Sequence, residues 1–463
     1  MTHESDKESG PMQTAALIVA TLTSFLLPFM GSSVNIALPE IQKDFSVDAV
    51  TLSWVATAFL LAAAVSLVPF GKLADIYGRK KVFFYGTLLY TLASLACGVA
   101  PSAAFLIVAR IFQGAGSAMI FSTGIAILSS VYPPEQRGRV LGFNVAAVYT
   151  GLSCGPFFGG MLTAYLGWRS IFFLNLPLCL LIVYLIVTRL HSEWAEARGE
   201  AFDMVGALIY AGAVIALMLG FARLPGFAGL ILTGAGLAGF GVFAVWEIRV
   251  RFPVFEVRLF TENRVFAFSC IAALINYSAT YAVTFLLSLY LQYIQALSPQ
   301  QAGAVLMVQP VLMAFCSPLA GRLSDRIEPR LLSSLGMALT AKGLALLSFV
   351  HDGTSIPFIF GCLVLVGIGF GLFSSPNMNA IMGSVERRYY GIASGSVGTM
   401  RVLGQMLSMG IATMIFTRFI GHRQIVPSLY PDFIEAVSWA LRTFSILCAV
   451  GIFFSLVRGR LRD

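Results

Sequence analysis

Three cations sit where the surrounding chain offers them no water: Arg110, Lys342 and Arg401 lie inside long apolar runs. A charged side chain at such a position is expensive and is kept where it lines a cavity or finds a partner. Arg110 is about seven residues into its run, roughly 10 Å deep at ~1.5 Å per residue. Gln113, three residues on, shares its helix face. The competing reading for Arg110 is a side chain that snorkels to the headgroups, and for Lys342 it carries equal weight. Asn35, Asn276, Tyr277, Gln309, Asn377 and Asn379 are polar residues within otherwise apolar spans. Singly, each reads as a helix–helix hydrogen bond. Together they are candidates to line a cavity with Arg110 and Gln113. Every Asp and Glu maps to a tail, a loop or a span end, and the four histidines (His3, His191, His351, His422) lie in the tail or loops. No interior group therefore has an ordinary pKa suited to carrying a proton near neutral pH. The fixed interior charge is positive, which favours neutral or anionic ligands over cations.

A second constellation is GKLADIYGRKKVF at 71–83, placed between the apolar runs 50–70 and 82–100. It combines Gly71 and Gly78 with Asp75 and the cations Lys72, Arg79, Lys80 and Lys81. The glycines let the chain turn and helices approach closely. Asp75 is suited to cap a helix start or to pair with Arg79. A weaker copy, GRLSDRIEPR at 321–330, supplies Gly321 and Asp325. A third element, GLSCGPFFGG at 151–160, puts Pro156 after Gly155 inside an apolar run, where proline removes a helix hydrogen bond and kinks the chain.

The elements that carry these residues follow from composition. Apolar residues make up 58% of the chain and charged residues 11%, with mean hydropathy +0.84. An ordinary soluble domain has about 25% charge, so the chain reads as an all-α integral membrane protein. A spanning helix needs about 20 apolar residues, and fourteen such runs occur between 14 and 457. Counted by side, 21 Lys and Arg fall on the face that holds both termini and 6 on the other. That asymmetry places both termini in the cytoplasm. Gly71 and Gly321 are 250 residues apart, and Glu135-Gln-Arg137 is echoed by Glu386-Arg-Arg388, 251 apart. The pattern is two pseudo-symmetric six-helix bundles with two extra transmembrane helices inserted between them. The expected segments are a tail at 1–13, a bundle at 14–200, the inserted pair at 201–250, a linker at 251–264, a second bundle at 265–458 and a tail at 459–463. The apolar run from Thr14 is too long for a cleaved signal and reads as a retained first helix.

Several classes are excluded by what the residues lack. The cations are spread over short loops, so nucleic acid is not an expected partner. No GxxxxGK[ST] loop is present, so no ATP is expected. The seven cysteines lie in apolar runs without metal-ligand spacing, and neither a metal nor another cofactor is expected. No Ser/His/Asp arrangement or paired titratable group points to an enzyme. The expected partners are the lipid bilayer and a small-molecule substrate.

The pattern G-x-L-A-D-x-x-G-R-K at 71–80 resembles the signature loop of the major facilitator superfamily. R-x-x-Q-G-x-G at 110–116 resembles the superfamily's fourth-helix motif, Gly155-Pro156 its antiporter motif, LGWRSIFFLNLP at 166–177 the drug-antiporter pattern and YLQYIQALSPQQAG at 290–303 a second-half helix. With the inserted pair, the chain resembles the fourteen-helix drug:proton antiporter group. The resemblance implies a secondary active transporter of the plasma (inner) membrane that exports amphipathic compounds, with protons as the candidate coupling ion. Uptake of a small organic solute without proton coupling is the rival within that fold, and a membrane sensor is a rival of another class. The resemblance also implies roles. Arg110 and Gln113 would face a central cavity. Gly71, Asp75, Gly78 and Arg79 would latch the two bundles on the cytoplasmic side, echoed by Gly321 and Asp325. Gly155 and Pro156 would form a gating kink, and Arg401 would pack the bundles together or contact substrate. The group usually carries an Asp in the first helix, at the position held here by Met30. Its loss implies a preference for neutral or anionic compounds, with proton coupling through Asp75 or another gate-edge carboxylate.

Overall fold

The computed structural model describes residues 2–132, 134–224, 226–324, 326–386, 390–421 and 423–459. Helices α1 (Thr2–Phe45), α2 (Ala49–Tyr77), α3 (Arg79–Gly98), α4 (Ala103–Val131), α5 (Pro134–Leu166) and α6 (Arg169–Arg189) form one bundle. A hairpin of α7 (Met204–Arg223) and α8 (Phe227–Arg249) follows, then the single turn α9 (Arg258–Glu262). The second bundle holds α10 (Arg264–Tyr293), α11 (Pro299–Leu306), α12 (Val308–Ser324), α13 (Pro329–Leu347), α14 (Ile356–Gly383), α15 (Tyr390–Phe419) and α16 (Tyr430–Val457). Among the described residues, thirteen spans, with α11 and α12 counted as one, have the length and apolar composition to cross a membrane. The 33-residue α5 is the fourteenth. In lipid the backbone must satisfy itself, and the helix does so locally.

Caps and prolines set the helix ends. Asp48 accepts the Thr51 amide at 2.7 Å to start α2, and Asn263 accepts the Phe266 amide at 2.9 Å to start α10. A capping box of Ser298 and Gln301, with Pro299 in the first turn, opens α11. Pro310 cannot donate to the carbonyl of Leu306, and α11 stops there before α12 resumes the same span. The expected loop at 71–83 is the main departure. Residues 71–77 are the last turns of α2, residues 79–83 are the first of α3, and Gly78 alone joins them. Gly78 has φ +118°, which side chains rarely adopt, and the Glu193 side chain lies 2.3 Å from where a Cβ would stand. The charged residues therefore ride on two helices hinged at one glycine.

The two bundles repeat one packing scheme. In the first, α1 packs on α5 and α6, α4 on α2 and α3, and α3 on α6. In the second, α10 packs on α15 and α16, α14 on α12 and α13, and α13 on α16. The glycines repeat with it. A Cβ on Gly116 would stand 2.9 Å from the Gly86 carbonyl, and one on Gly336 would stand 2.5 Å from the Gly369 carbonyl. Gly114 meets the Phe59 carbonyl of α2 at 2.2 Å, and its counterpart Gly367 meets the Gln309 carbonyl of α12 at 2.7 Å. Gly155 approaches the Phe29 carbonyl of α1 at 2.8 Å, and Gly404 the Leu274 carbonyl of α10 at 2.7 Å. The α7–α8 hairpin leans on both bundles through α2 and α15.

Hydrogen bonds between described residues of the two bundles run from mid-span to the end opposite Gly78. Ser288 Oγ donates to the Asn35 carbonyl (2.8 Å), Gln292 to the Ile36 carbonyl (3.0 Å) and Gln424 to the Ser46 carbonyl (2.6 Å). The Ala49 amide donates to the Arg423 carbonyl at 3.0 Å. The Tyr293 hydroxyl also donates to Gln42. If backbone approach holds each bundle together, Gly116→Val should collapse the yield of monodisperse protein in detergent size-exclusion chromatography. Overpacking of this kind costs about 1–3 kcal/mol or more. Gly212→Val, where an added Cβ meets nothing within 4 Å, should leave that yield near wild type.

Candidate functional site

At the end of the molecule that carries Gly78, the charged residues are fastened within the first bundle. Arg79 pairs with Asp75 at 2.8 Å and Glu196 at 2.8 Å, and donates to Ser130 Oγ at 2.9 Å. Lys72 pairs with Glu200 at 2.7 Å, and Glu193 accepts the Lys80 amide at 2.8 Å. The segment after α6 is thus strapped across the hinge, and its backbone joins in: Arg79 N donates to the Trp194 carbonyl and Ala197 N to the Asp75 carbonyl. These described partners of Asp75 and Arg79 lie on α2–α4 and the strap rather than on the second bundle. Gly71 is less constrained than expected, since an added Cβ would meet Ser122 at an ordinary 3.7 Å. Gly321, by contrast, has Ser375 Oγ 2.6 Å from its Cβ position. Asp325, expected to echo Asp75, lies outside the described residues.

Arg110 is 1% exposed, and its fork is satisfied by neutral groups. Nε donates to the Val55 carbonyl at 3.0 Å, a terminal nitrogen donates to Gln113 Oε1, and Cζ sits 4.2 Å over the Phe59 ring. Gln113 passes the chain on to Ser94 Oγ at 2.8 Å. The arginine therefore rivets α2, α3 and α4 together. It also interacts electrostatically with Tyr281 of α10, whose hydroxyl approaches Gly31 of α1. Among described residues no carboxylate pairs with it.

A seam of aromatic and hydroxyl groups runs between the bundles near mid-span. Tyr149 of α5 hydrogen-bonds Ser374 of α14 at 3.0 Å, with Ser317 of α12 at 3.5 Å. Half-buried Arg401 of α15 lies 4.3 Å over the Phe121 ring of α4. Tyr277 makes polar contacts with Ser374 and Arg401 and packs edge-on against Phe370. Pro156 and Gly155 form the outer edge of this seam. The Pro156 carbonyl meets Gly303 of α11 at backbone distance, and Ser33 Oγ donates to the Gly155 carbonyl at 2.9 Å. Tyr149, Tyr281, Phe121, Ser317 and Ser374 were not marked by sequence. The available signal was tyrosine in an apolar span, which keeps a polar tip in need of a partner.

The other polar candidates are not brought together with the seam. Asn276 is buried beside Cys448 of α16 inside the second bundle. Asn377 donates to the Ser269 carbonyl at 3.1 Å and accepts from Arg458 at 2.7 Å. Asn379 is exposed and donates to Ser324 at 2.6 Å, while Gln309 is buried in α12 next to α14. Asn35 is 3% exposed with no described partner for its Oδ1. Met30 faces α6, where Asn175 Nδ2 donates to its sulfur at 3.1 Å, so an acid at position 30 would point at Asn175. Lys342 is exposed on α13. Two residues at helix ends are buried. Arg458, counted with the loop cations, is 1% exposed and bolts α16 to Asn377 and Ser269. Burial pulls its guanidinium down to about 10, with Glu328 opposing that shift and Arg330 adding to it. Glu247, at the end of α8, is 2% exposed. A position at a span end is thus not the same as contact with water.

Comparison with known proteins gives concordant results. The family model for the Major Facilitator Superfamily matches residues 20–409 and 269–463. The riboflavin transporter RibZ of Clostridioides difficile (strain 630) is 28% identical over 452 residues, covering 96% of this chain and 98% of that protein. The multidrug resistance protein Stp of Mycobacterium tuberculosis is 30% identical over 414 residues, covering 88% of this chain and 76% of that one. A bacterial homologue of the human lysosomal transporter Spinster, solved inward-facing and unoccupied, has the same fold, with TM-score 0.66, 17% identity and 97% of each chain covered.

The Arg110 rivet has a direct test. Arg110→Lys keeps the charge but not the planar fork, so it should lose about 1–3 kcal/mol of hydrogen bonding and lower the thermal unfolding midpoint of the purified protein. Lys342→Ala, at an exposed position on α13, should leave the midpoint unchanged.

Proposed function

Because the chain belongs to the Major Facilitator Superfamily, we propose that it is a secondary active transporter that exports small amphipathic compounds by alternating access, with a neutral or anionic preference. The observation that carries the preference is the seam: Arg401 stands in it with tyrosines and hydroxyls, Arg110 lies buried in the first bundle within electrostatic reach of Tyr281, and no described carboxylate sits among them. A monovalent cation placed there would meet like charge without compensation. An aromatic, neutral or anionic solute would find rings to stack on and donors to bind. Similarity to Stp, named for multidrug resistance, supports export of varied compounds. Similarity to RibZ, named for riboflavin, supports a second reading in which one small organic solute is moved, including by uptake.

In this reading both termini are cytoplasmic, the membrane is the plasma membrane, and the end closed by Asn35, Gln42 and Arg423 faces outward. The bundles then swing about α5, at Gly155 and Pro156. The opposite swing brings the Asp75–Arg79 hinge of α2 and α3 toward the second bundle, where it acts as a latch with Gly321 and Asp325. Proton coupling belongs to Asp75 or another carboxylate at the gate edge, since mid-span carboxylates are missing from the sequence.

Proteoliposomes with an imposed pH gradient test the reading across cationic, neutral and anionic amphiphiles. Anionic and neutral compounds should move at least several-fold faster than cations, and Asp75→Asn should slow turnover while leaving binding largely intact. Brisk gradient-driven movement of cationic dyes, with Asp75→Asn still coupled, would defeat it. Sidedness is checked separately by single-cysteine labelling in intact cells. A cysteine at Gly226 should react with an impermeant maleimide from outside, and one at Arg258 only after the membrane is opened.

A further inference from the structure

The α7–α8 hairpin holds a buried acid that the seam does not use. Glu247, in the last turn of α8, is 98% buried by the 2% exposure of its surface. One carboxylate oxygen accepts the Phe255 amide at 3.0 Å. The other, Oε1, has no hydrogen-bond partner. It is aimed at Asp203, the N-cap of α7: Glu247 Oε1 and Asp203 Oδ2 each stand 2.4 Å from the point where a Cβ on Gly206 would sit. Oxygens of two carboxylates thus stand over the same glycine, whose missing Cβ leaves them room.

The two acids are not equivalent. Asp203 accepts from the Gly206 amide at 2.9 Å and from Trp246 Nε1 at 2.9 Å, so both its oxygens are already engaged. Glu247 is more deeply buried, and the donors acting on it are the backbone amides of Phe255 and Val254. The surrounding cations do not compensate it. Lys72 of α2 is committed to Glu200. Arg249 is exposed, Arg251 lies over the Phe252 ring, and Arg258 of α9 donates to the Ile248 carbonyl. The further groups acting on Glu247 are the Val254 backbone donor and another acid, Glu256. A buried, unpaired anion next to a second anion is unfavourable, and one proton shared between the two carboxyls resolves it.

We propose that Glu247 and Asp203 form a proton-binding site, with the proton carried on Glu247 Oε1 and donated to Asp203 Oδ2. The site ties ionisation to the connection between the bundles. While the proton is bound, Glu247 stays in place and its other oxygen holds the Phe255 amide, pinning residues 250–257 against the hairpin. When the proton leaves to solvent, the two carboxylates repel, Glu247 swings out and that amide is released. The tether is therefore intact at low pH and loosens as pH rises, with each unit above the midpoint multiplying the released population by about ten.

The test uses the full-length protein in lipid nanodiscs. Hydrogen exchange across residues 250–257 is followed against pH, after correction for intrinsic exchange. Wild type should lose protection as pH rises. Glu247→Gln, which accepts from Phe255 and donates to Asp203 without titrating, should stay protected throughout. Asp203→Asn removes the repelling charge, so ionised Glu247 is no longer driven out, and the release should be lost or move at least tenfold in proton concentration toward higher pH. Infrared spectra should show a protonated-carboxyl band in wild type that is missing in Glu247→Gln. Wild-type protection that is flat in pH, or a release that Asp203→Asn fails to shift, overturns the proposal. So does an infrared band unchanged by Glu247→Gln, and this measurement stands even if one variant folds poorly.

Discussion

The architecture rests on helices touching at backbone distance. In lipid no hydrophobic force draws one apolar helix to another, so association depends on close packing and on interhelical hydrogen bonds. Glycine supplies the first, and here it does so twice over at matched places: Gly86 with Gly116 and Gly336 with Gly369, Gly114 on α2 and Gly367 on α12, Gly155 on α1 and Gly404 on α10. Each bundle is rigid because a larger side chain at these points would strike a carbonyl. The same device appears between bundles, where Gly303 of α11 meets the Pro156 carbonyl and Gly160 of α5 meets Pro299. So α5 is in backbone contact with α1 on one face and with α11 on another. Motion of one bundle against the other has to be organised around that helix.

Charge divides along the same lines. Carboxylates and most cations collect at helix ends, where they strap, cap and pair. Arg110 and Arg401 remain near mid-span, solvated by carbonyls, amides and aromatic faces instead of by counter-ions. A neutral shell of this kind leaves the positive field of the guanidinium only partly spent. That residual field is what the seam offers to whatever enters between the bundles.

The span count, the inserted pair and the hinge motif were legible because each is written in local composition: about 20 apolar residues per span, or a tight run of glycine and charge. What sequence could not give is the face each residue presents. These helices are apolar nearly all round, so periodicity does not say which side meets a neighbour and which meets lipid. Met30 was assigned to a cavity and faces α6. Asn276 and Asn377 were grouped with Tyr277 and instead serve the interior of the second bundle. Arg458 was counted with the cations of one face and Glu247 placed at a span end, and neither position told that the side chain is buried. The hinge was recognised but its form was not, since nothing in the motif says that the helices continue up to Gly78 on either side.

The placement of Arg458 bears on how the protein is made. Its guanidinium reaches Ser269 of α10 and Asn377 of α14, and approaches Ser333 of α13. These are helices synthesised well before α16. Until the last span enters the bilayer, those buried groups lack their shared donor and α10 and α13 lack the helix that packs against both. The Arg110 network has no such dependence, because its hydrogen-bonded groups all lie within α2–α4. During synthesis the leading bundle is therefore able to close while the trailing one waits, open and hydrated at one end, for its final helix to arrive.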